Sequence, residues 1–479
     1  MPEFSSAKWN DRYAAHLLNR AGFGAIPQEV AAARKAGLEA TADRLLSFPL
    51  IPVDYKIPEW AKPDPERFKK LREYKNASPE ERQAMQKLER QHQRDQLIEL
   101  RQWWLELMRT SPFPLQEKLA LFWHGHFATS IQKVKSAFLM WQQNDIFRKK
   151  GAGRWIELLT AVSKDPAMLI WLDQAQSKKD HPNENFAREV MELFTLGEGN
   201  YSEKDVTEAA RALTGWSLER GTQQFVNRAN WHDPNSKTIL GETGNWKGED
   251  VLEIILKKPQ SNTFICAKLW EFFAGTPPEK ETLQNLAHQF SQAGQEFRPL
   301  LKAIFRAEEF YADKNLNNQV KSPVQWLVGT VRLLDRELPS SQVSTQMLRT
   351  LGQDLFQPPN VKGWDGGLSW INTNHLLNRY NFSAALIFGE KNVMTNKEKR
   401  TRPRKVQGPV RVESLFQEEE IKSVDKLLAA LDFRFTYGTL KPRQKMTLKE
   451  YLAAQKELES EDILNGIRLI MSTPDYQLI

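Results

Sequence analysis

Along the N-terminal third, apolar positions fall at helical intervals punctuated by glycine and proline. Tyr13, Ala14, Leu17 and Leu18 make one inward stripe on a helix predicted from Trp9 to Phe23, which Ala21-Gly22-Phe23-Gly24 stops. Pro27 opens an alanine-rich helix to about Lys35, and Pro49, Pro52, Pro58 and Pro63 space out an extended connection. Between Pro65 and Arg109 the chain is mostly charge and glutamine, thickening into Leu97, Leu100, Trp103, Trp104, Leu107 and Met108. That pattern predicts one or two long helices, exposed first and buried later. Leu115 to Trp123 reads as a short buried helix that delivers His124-Gly125-His126-Phe127, and helical periodicity returns over Ser136–Phe147 and Trp155–Val162. Met168 to Asp173 is a compact apolar run ending in a carboxylate.

The densest pattern lies between Pro182 and Gly197. Pro182 cannot extend a helix from upstream, Asn183 or Asn185 can cap the first turn, and Gly197 supplies the stop. Phe186, Val190, Leu193 and Phe194 recur at i, i+4, i+7 and i+8, while Asn185, Glu189 and Glu192 share an adjoining face. Two carboxylates beside buried surface need a counter-charge: either Arg188 and other basic residues, or a bound cation. A capping box at Ser202 and Asp205 opens the next helix, with Val206, Ala209, Ala210 and Leu213 inward, so the stretch is half of a helical hairpin.

Residues 217–250 lose this periodicity, and a loop-rich or small β-like insertion is expected around Phe225, Trp231-His232-Asp233 and Leu240-Gly241. Helices resume from about Asp250 to Phe310, then over Pro323–Asp335 and Val343–Leu351. Gln357 to Trp370 holds too many turn formers to be helical. The expected fold is all-α, with two closely packed helical lobes. Residues 1–391 form the main unit, 392–408 a basic linker, and 409–479 a C-terminal helical segment packing on the main unit.

Composition narrows the class. Hydrophobic residues are 40% and charged residues 27% of 479, as in a soluble globular protein. Lys and Arg total 67 against 60 acidic residues, and much of the surplus sits between Lys391 and Lys405, so no nucleic-acid surface is expected. Cys266 is the one cysteine, which excludes disulfides and cysteine-based metal sites. No apolar run is long enough to cross a bilayer, and no secretory signal opens the chain. The expected location is cytoplasmic as written, or periplasmic or exported if a leader was removed.

Two chemistries stand out. His124, His126, Glu189 and Glu192 form a candidate site for a divalent transition metal, zinc, iron or manganese, with Asp173 and His232 as further candidates. This requires the helix to end at Gly125 so that the two imidazoles converge, and a buried polar network without metal is the alternative. Arg188 or Arg20 would balance charge, Glu189 and Arg188 would act at the reacting centre, and His232-Asp233 is a candidate acid/base pair. The second chemistry is aromatic: of 15 tryptophans, Trp216, Trp231, Trp246, Trp364 and Trp370 fall in loop-like text. Trp216, Trp364 and Trp370, with Asn185, Asn360 and Asp365, suit stacking on and hydrogen bonding to a polysaccharide, against the alternative of plugging gaps between helices. No nucleophile elbow, phosphate loop or dinucleotide fingerprint occurs.

Ala15-His16-Leu17-Leu18-Asn19-Arg20-Ala21-Gly22-Phe23-Gly24, Phe122-Trp123-His124-Gly125-His126-Phe127-Ala128-Thr129-Ser130 and Asn183 to Gly197 carry a resemblance. So do Tyr201, Asp205-Val206, Ala212-Leu213-Thr214-Gly215-Trp216, His232-Asp233, Lys237, Leu240-Gly241 and the tryptophan segment near residue 360. Over nearly its whole length the chain resembles the uncharacterised bacterial family catalogued as domain of unknown function 1800. The resemblance implies a helical fold and a sulfatase-like partner protein, since many members are encoded beside such a family. Many members carry an export signal, which is not expected in this chain as written, and many place a histidine where Phe194 stands. Two functions are therefore expected: a metal-dependent hydrolase or oxidase acting on polysaccharide, or a non-enzymatic binding or assembly protein.

Overall fold

The computed structural model describes residues 1–49, 56–64, 66–219, 221–389, 408–455 and 457–479. Pro52, Pro65 and the linker up to residue 407 lie outside them. The fold is all-α: helices packed closely around one continuous apolar core from Phe4 to Tyr476, with two small two-stranded hairpins among the described residues. No described helix is long and apolar enough to cross a membrane.

The first helix, α1 (Asp11–Arg20), is capped by Asn10, whose side chain accepts from the amides of Arg12 and Tyr13. Helix α2 (Pro79–Thr110) starts at a Ser78/Glu81 capping box and spans about 48 Å at 1.5 Å per residue. Its first half is exposed, and its second half buries Leu97, Leu100, Trp104 and Met108, as the thickening pattern predicts.

Helix α3 (Pro114–His126) runs through the core and buries Leu115 to His124 without interruption. Glu117 and Gln116 are held there by partners. The Glu117 carboxylate accepts from Arg148 Nε and Nη2 at 2.7 and 2.8 Å and from the Trp104 indole at 2.9 Å. Gln116 donates to the carbonyls of Pro49 and Arg148. Breaking such a buried pair from one side costs about 3–5 kcal/mol.

The central hairpin forms as expected, with one departure. Helix α4 (Glu184–Glu189) continues not as α but as a π-helical stretch, Val190–Thr195, whose Met191 carbonyl accepts from the amides of Leu196 and Gly197. The Thr195 hydroxyl donates to the Val190 carbonyl at 2.6 Å, bracing the wider turn. Helix α5 (Glu203–Ala212) returns against it. The insertion holds both hairpins, Trp216–Leu218 with Phe225–Asn227 and Lys237–Ile239 with Glu242–Gly244. Helices α6 (Pro259–Ala274) and α7 (Pro323–Leu333) complete the walls around α3. The C-terminus is stitched in by backbone bonds between Gln319 and Ile479 and between Lys321 and Gln477.

Candidate functional site

Three segments meet at one end of α3. Its last turn carries His124, Gly125 and His126. The π-helical stretch brings Glu192 and the Phe194 carbonyl, and the turn-rich segment brings Trp364, Asp365 and Trp370. Together with α6 and α7 they enclose a cavity of about 580 Å³.

The tryptophan segment is held by its own turn chemistry. The Asn360 side-chain oxygen accepts from the Lys362 amide at 2.8 Å, and the Asn360 carbonyl accepts from the Gly363 amide at 3.2 Å. Gly363 has φ +84°, and a Cβ there would sit 2.4 Å from the Gly125 carbonyl oxygen, so the loop lies backbone to backbone on the last turn of α3. Trp364 is backed by His124, ring centroids 5.4 Å apart. Trp364 and Trp370 are half-buried, and neither indole N–H has a partner among the described residues.

The helix continues through His126 rather than ending at Gly125, so the two imidazoles diverge. His124 is 1% exposed, and its Nε2 accepts from the Phe356 amide at 3.0 Å. His126 Nε2 lies 3.0 Å from the Phe194 carbonyl, which can only accept, so Nε2 carries the proton and Nδ1 is the basic nitrogen. Burial pushes both imidazoles down to about 3. Lys268 adds to the effect at His126, which is also ringed by Phe122, Trp123 and Phe127. Both histidines are neutral at neutral pH.

Glu192 lines the cavity and accepts from the Tyr201 hydroxyl at 2.5 Å. Burial and that bond push the phenol up to about 12. Glu189 lies beside the cavity, not on its wall, and burial and the neighbouring Glu192 raise its carboxyl above the ordinary range, opposed by Lys362 and Arg188. Arg188 does not neutralise the glutamate pair as expected; it makes a two-pronged bond to Glu203 at 2.6 and 2.7 Å.

The expected four-residue metal set is therefore not assembled. Its histidines face different partners, and among the described residues no group of three or more His, Cys, Asp or Glu side chains could hold a metal ion. Asp173 is paired with Lys133 at 2.7 Å on the surface. Arg20 is fully buried and donates to Gln319, Asn318, Asn315 and Ile479, away from both glutamates.

Other expected site residues fall elsewhere. Trp216 is 1% exposed, packed on Phe225 and Gly248, and cannot serve as a platform. His232 Nδ1 contacts the Thr214 carbonyl, while Asp233 pairs with Arg211 and accepts from the Asn235 amide, so the two side chains anchor a turn instead of orienting each other. Asn185 is exposed at the start of α4, and Asn360 serves the loop.

Of the sequence candidates, the structure brings His126, Glu192, Trp364, Asp365 and Trp370 together. Sequence reading missed Lys118, Gln325, Lys268 and Lys362, which share the wall. A lysine in the middle of an otherwise buried helix was the available signal for Lys118. A larger groove, about 1720 Å³, runs beneath α2. It holds none of the candidate residues, whereas the smaller cavity gathers five of them, two partly open indoles included.

A family model described as protein of unknown function (DUF1800) matches residues 16–478. No curated protein and no solved structure matches the chain.

Proposed function

The chain belongs to the family of proteins of unknown function DUF1800, whose description names no activity, and from its own geometry we propose that the cavity beside α3 binds a saccharide. The observation that carries this reading is the pair of half-buried indoles, Trp364 and Trp370, at the mouth of a 580 Å³ cavity whose wall holds a neutral histidine and a carboxylate. Sugar rings present C–H faces that stack on aromatic rings, with hydroxyls at the edge that need acceptors and donors. Trp364 and Trp370 supply the faces. His126 Nδ1, Glu192 and Asp365 supply acceptors, and Lys268 and Lys362 supply donors.

The expected transition metal does not fit this wall, where only His126 and Glu192 of the four expected ligands are present and each is engaged by a protein partner. No step is routed through an ion.

A second reading, acid–base cleavage of the bound sugar, is favoured by the raised carboxyl of Glu189 beside Glu192. Two neighbouring carboxyl groups, one of them raised by burial and by its neighbour, are the kind of pair that glycoside hydrolysis uses. In that reading Glu189→Gln removes the release of reducing ends and leaves binding intact.

Binding is tested on a glycan array with the intact chain, Trp364→Ala and Trp370→Ala. The expected result is a set of bound glycans that each variant weakens about tenfold or more, the scale of ~1.5 kcal/mol for a lost aromatic contact. A bound set unchanged in both variants would overturn the reading.

A further inference from the structure

Lys118 sits at the inner end of this cavity, in the middle of α3 and 3% exposed. An ammonium offers three donors. Among the described residues its one hydrogen-bond acceptor is the Gln325 side-chain oxygen at 2.7 Å, and no carboxylate lies within ion-pair distance. Its nearest charge-stabilising neighbours are the rings of Phe23 and Phe272, with the nitrogen 5.2 and 5.5 Å from their centroids.

Three other buried cations of the fold have a counter-charge or a fuller set of acceptors. Arg148 has Glu117, Arg101 has Asp354, and Arg20 donates to four acceptors. Lys118, by contrast, faces this cavity with no carboxylate beside it and with donors to spare. Burial holds its pKa well below the ordinary lysine value, and the Arg20 charge adds to the effect. Such an amine gains most from a ligand that brings the missing negative charge.

We propose that the inner end of the cavity receives an anionic group of the bound saccharide, a uronate carboxylate or a sulfate ester, with the Lys118 ammonium as its counter-ion. The proposal rests on the saccharide reading of the cavity. The neighbouring amides are neutral and partly engaged, which leaves Lys118 as the charged donor to the ligand. Gln325 donates to the Asn19 carbonyl, Gln319 donates to the Phe272 carbonyl, and Gln353 accepts from the Val324 amide. Of the four carboxylates on the wall, Glu198, Glu271 and Asp365 are exposed and screened by water with Lys268 and Lys362 among them, and half-buried Glu192 is engaged by the Tyr201 hydroxyl. The charge at the dry end therefore decides the preference.

The test titrates the intact protein and Lys118→Met with three short oligomers: an oligogalacturonate, a sulfated galactan and a neutral galactan. The intact protein is expected to bind one anionic arm about tenfold or more tighter than the neutral one, the strength of a charge-assisted hydrogen bond, and which arm wins names the source. Lys118→Met is expected to lose that preference and keep the neutral affinity, while Lys118→Arg, which preserves the charge, keeps the preference. A Lys118→Met protein that retains the anionic preference, or an intact protein that prefers the neutral arm, overturns the proposal. If no oligomer binds either protein, the saccharide reading fails, and thermal unfolding in sulfate, acetate and chloride at matched ionic strength decides the anion site by itself. Stabilisation by sulfate or acetate that Lys118→Met abolishes sustains the site, and equal shifts in both proteins overturn it.

Discussion

The two histidines of α3 show how burial reassigns a residue's chemistry. Read as a pair one residue apart, they suggested convergence on an ion; in place, one receives a backbone amide and the other donates to a backbone carbonyl. Both carry a pKa near 3 in the fold against about 6.5 in an unfolded chain. Between those values the unfolded chain binds more protons than the folded one, so stability rises with pH through this window. The contribution is present above about pH 6.5 and is lost as pH falls toward 3. Denaturant unfolding at pH 7 and pH 5 is expected to show a decline in stability on acidification that His124→Gln with His126→Gln makes shallower. An unchanged slope in the double variant would contradict the assignment. The same residue-level detail was hidden in the glutamate pair. Arg188 is four residues from one glutamate and adjacent to the other in sequence, yet its guanidinium reaches Glu203 on the returning helix, a contact that no local pattern encodes.

At the scale of elements, most of the fold was legible. The exposed-then-buried character of α2, the capping box of α5, the loop-rich insertion and the turn segment near residue 360 all follow from local periodicity and turn chemistry. Two features were not. The end of α3 was misplaced because glycine at Gly125 reads as a stop, whereas the helix runs on through it and the tryptophan loop packs its backbone on that turn at Gly363. The π-helical stretch was invisible because Val190 to Thr195 has ordinary helical composition, and the wider turn answers to packing across elements. The contact between Gly363 and Gly125 makes the loop testable. Gly363→Ala adds both a strained φ and a collision with the Gly125 carbonyl, while Gly367→Ala, at φ +55° with nothing within 4 Å, adds strain alone. The expected outcome for Gly363→Ala is glycan binding lost with the helical fold intact, at a cost of about 1–3 kcal/mol. Gly367→Ala should keep most of its binding. Equal binding in the two variants, measured beside circular dichroism and thermal unfolding, would remove the loop's contact with α3 from the account.

For the whole molecule, one continuous core fixes three sequence-distant segments, near residues 118–126, 189–201 and 353–370, around a single cavity. Each segment announced itself by composition. Their convergence depended on long-range packing, which is why Trp216 and His232-Asp233, equally conspicuous in sequence, were grouped with residues they do not meet. The buried lysine that completes the site escaped notice for the converse reason: beside histidines and tryptophans a single lysine carries no pattern, and its significance lies in the partner it lacks. The central claim is that Trp364 and Trp370 form the mouth of a saccharide site. It is tested most directly by photo-crosslinking a diazirine-bearing derivative of an array-identified glycan to the intact protein and mapping the modified peptides by mass spectrometry. The account predicts label on peptides spanning residues 118–126 or 361–370, suppressed by excess unlabelled glycan. Competable label confined to the groove beneath α2 would contradict it.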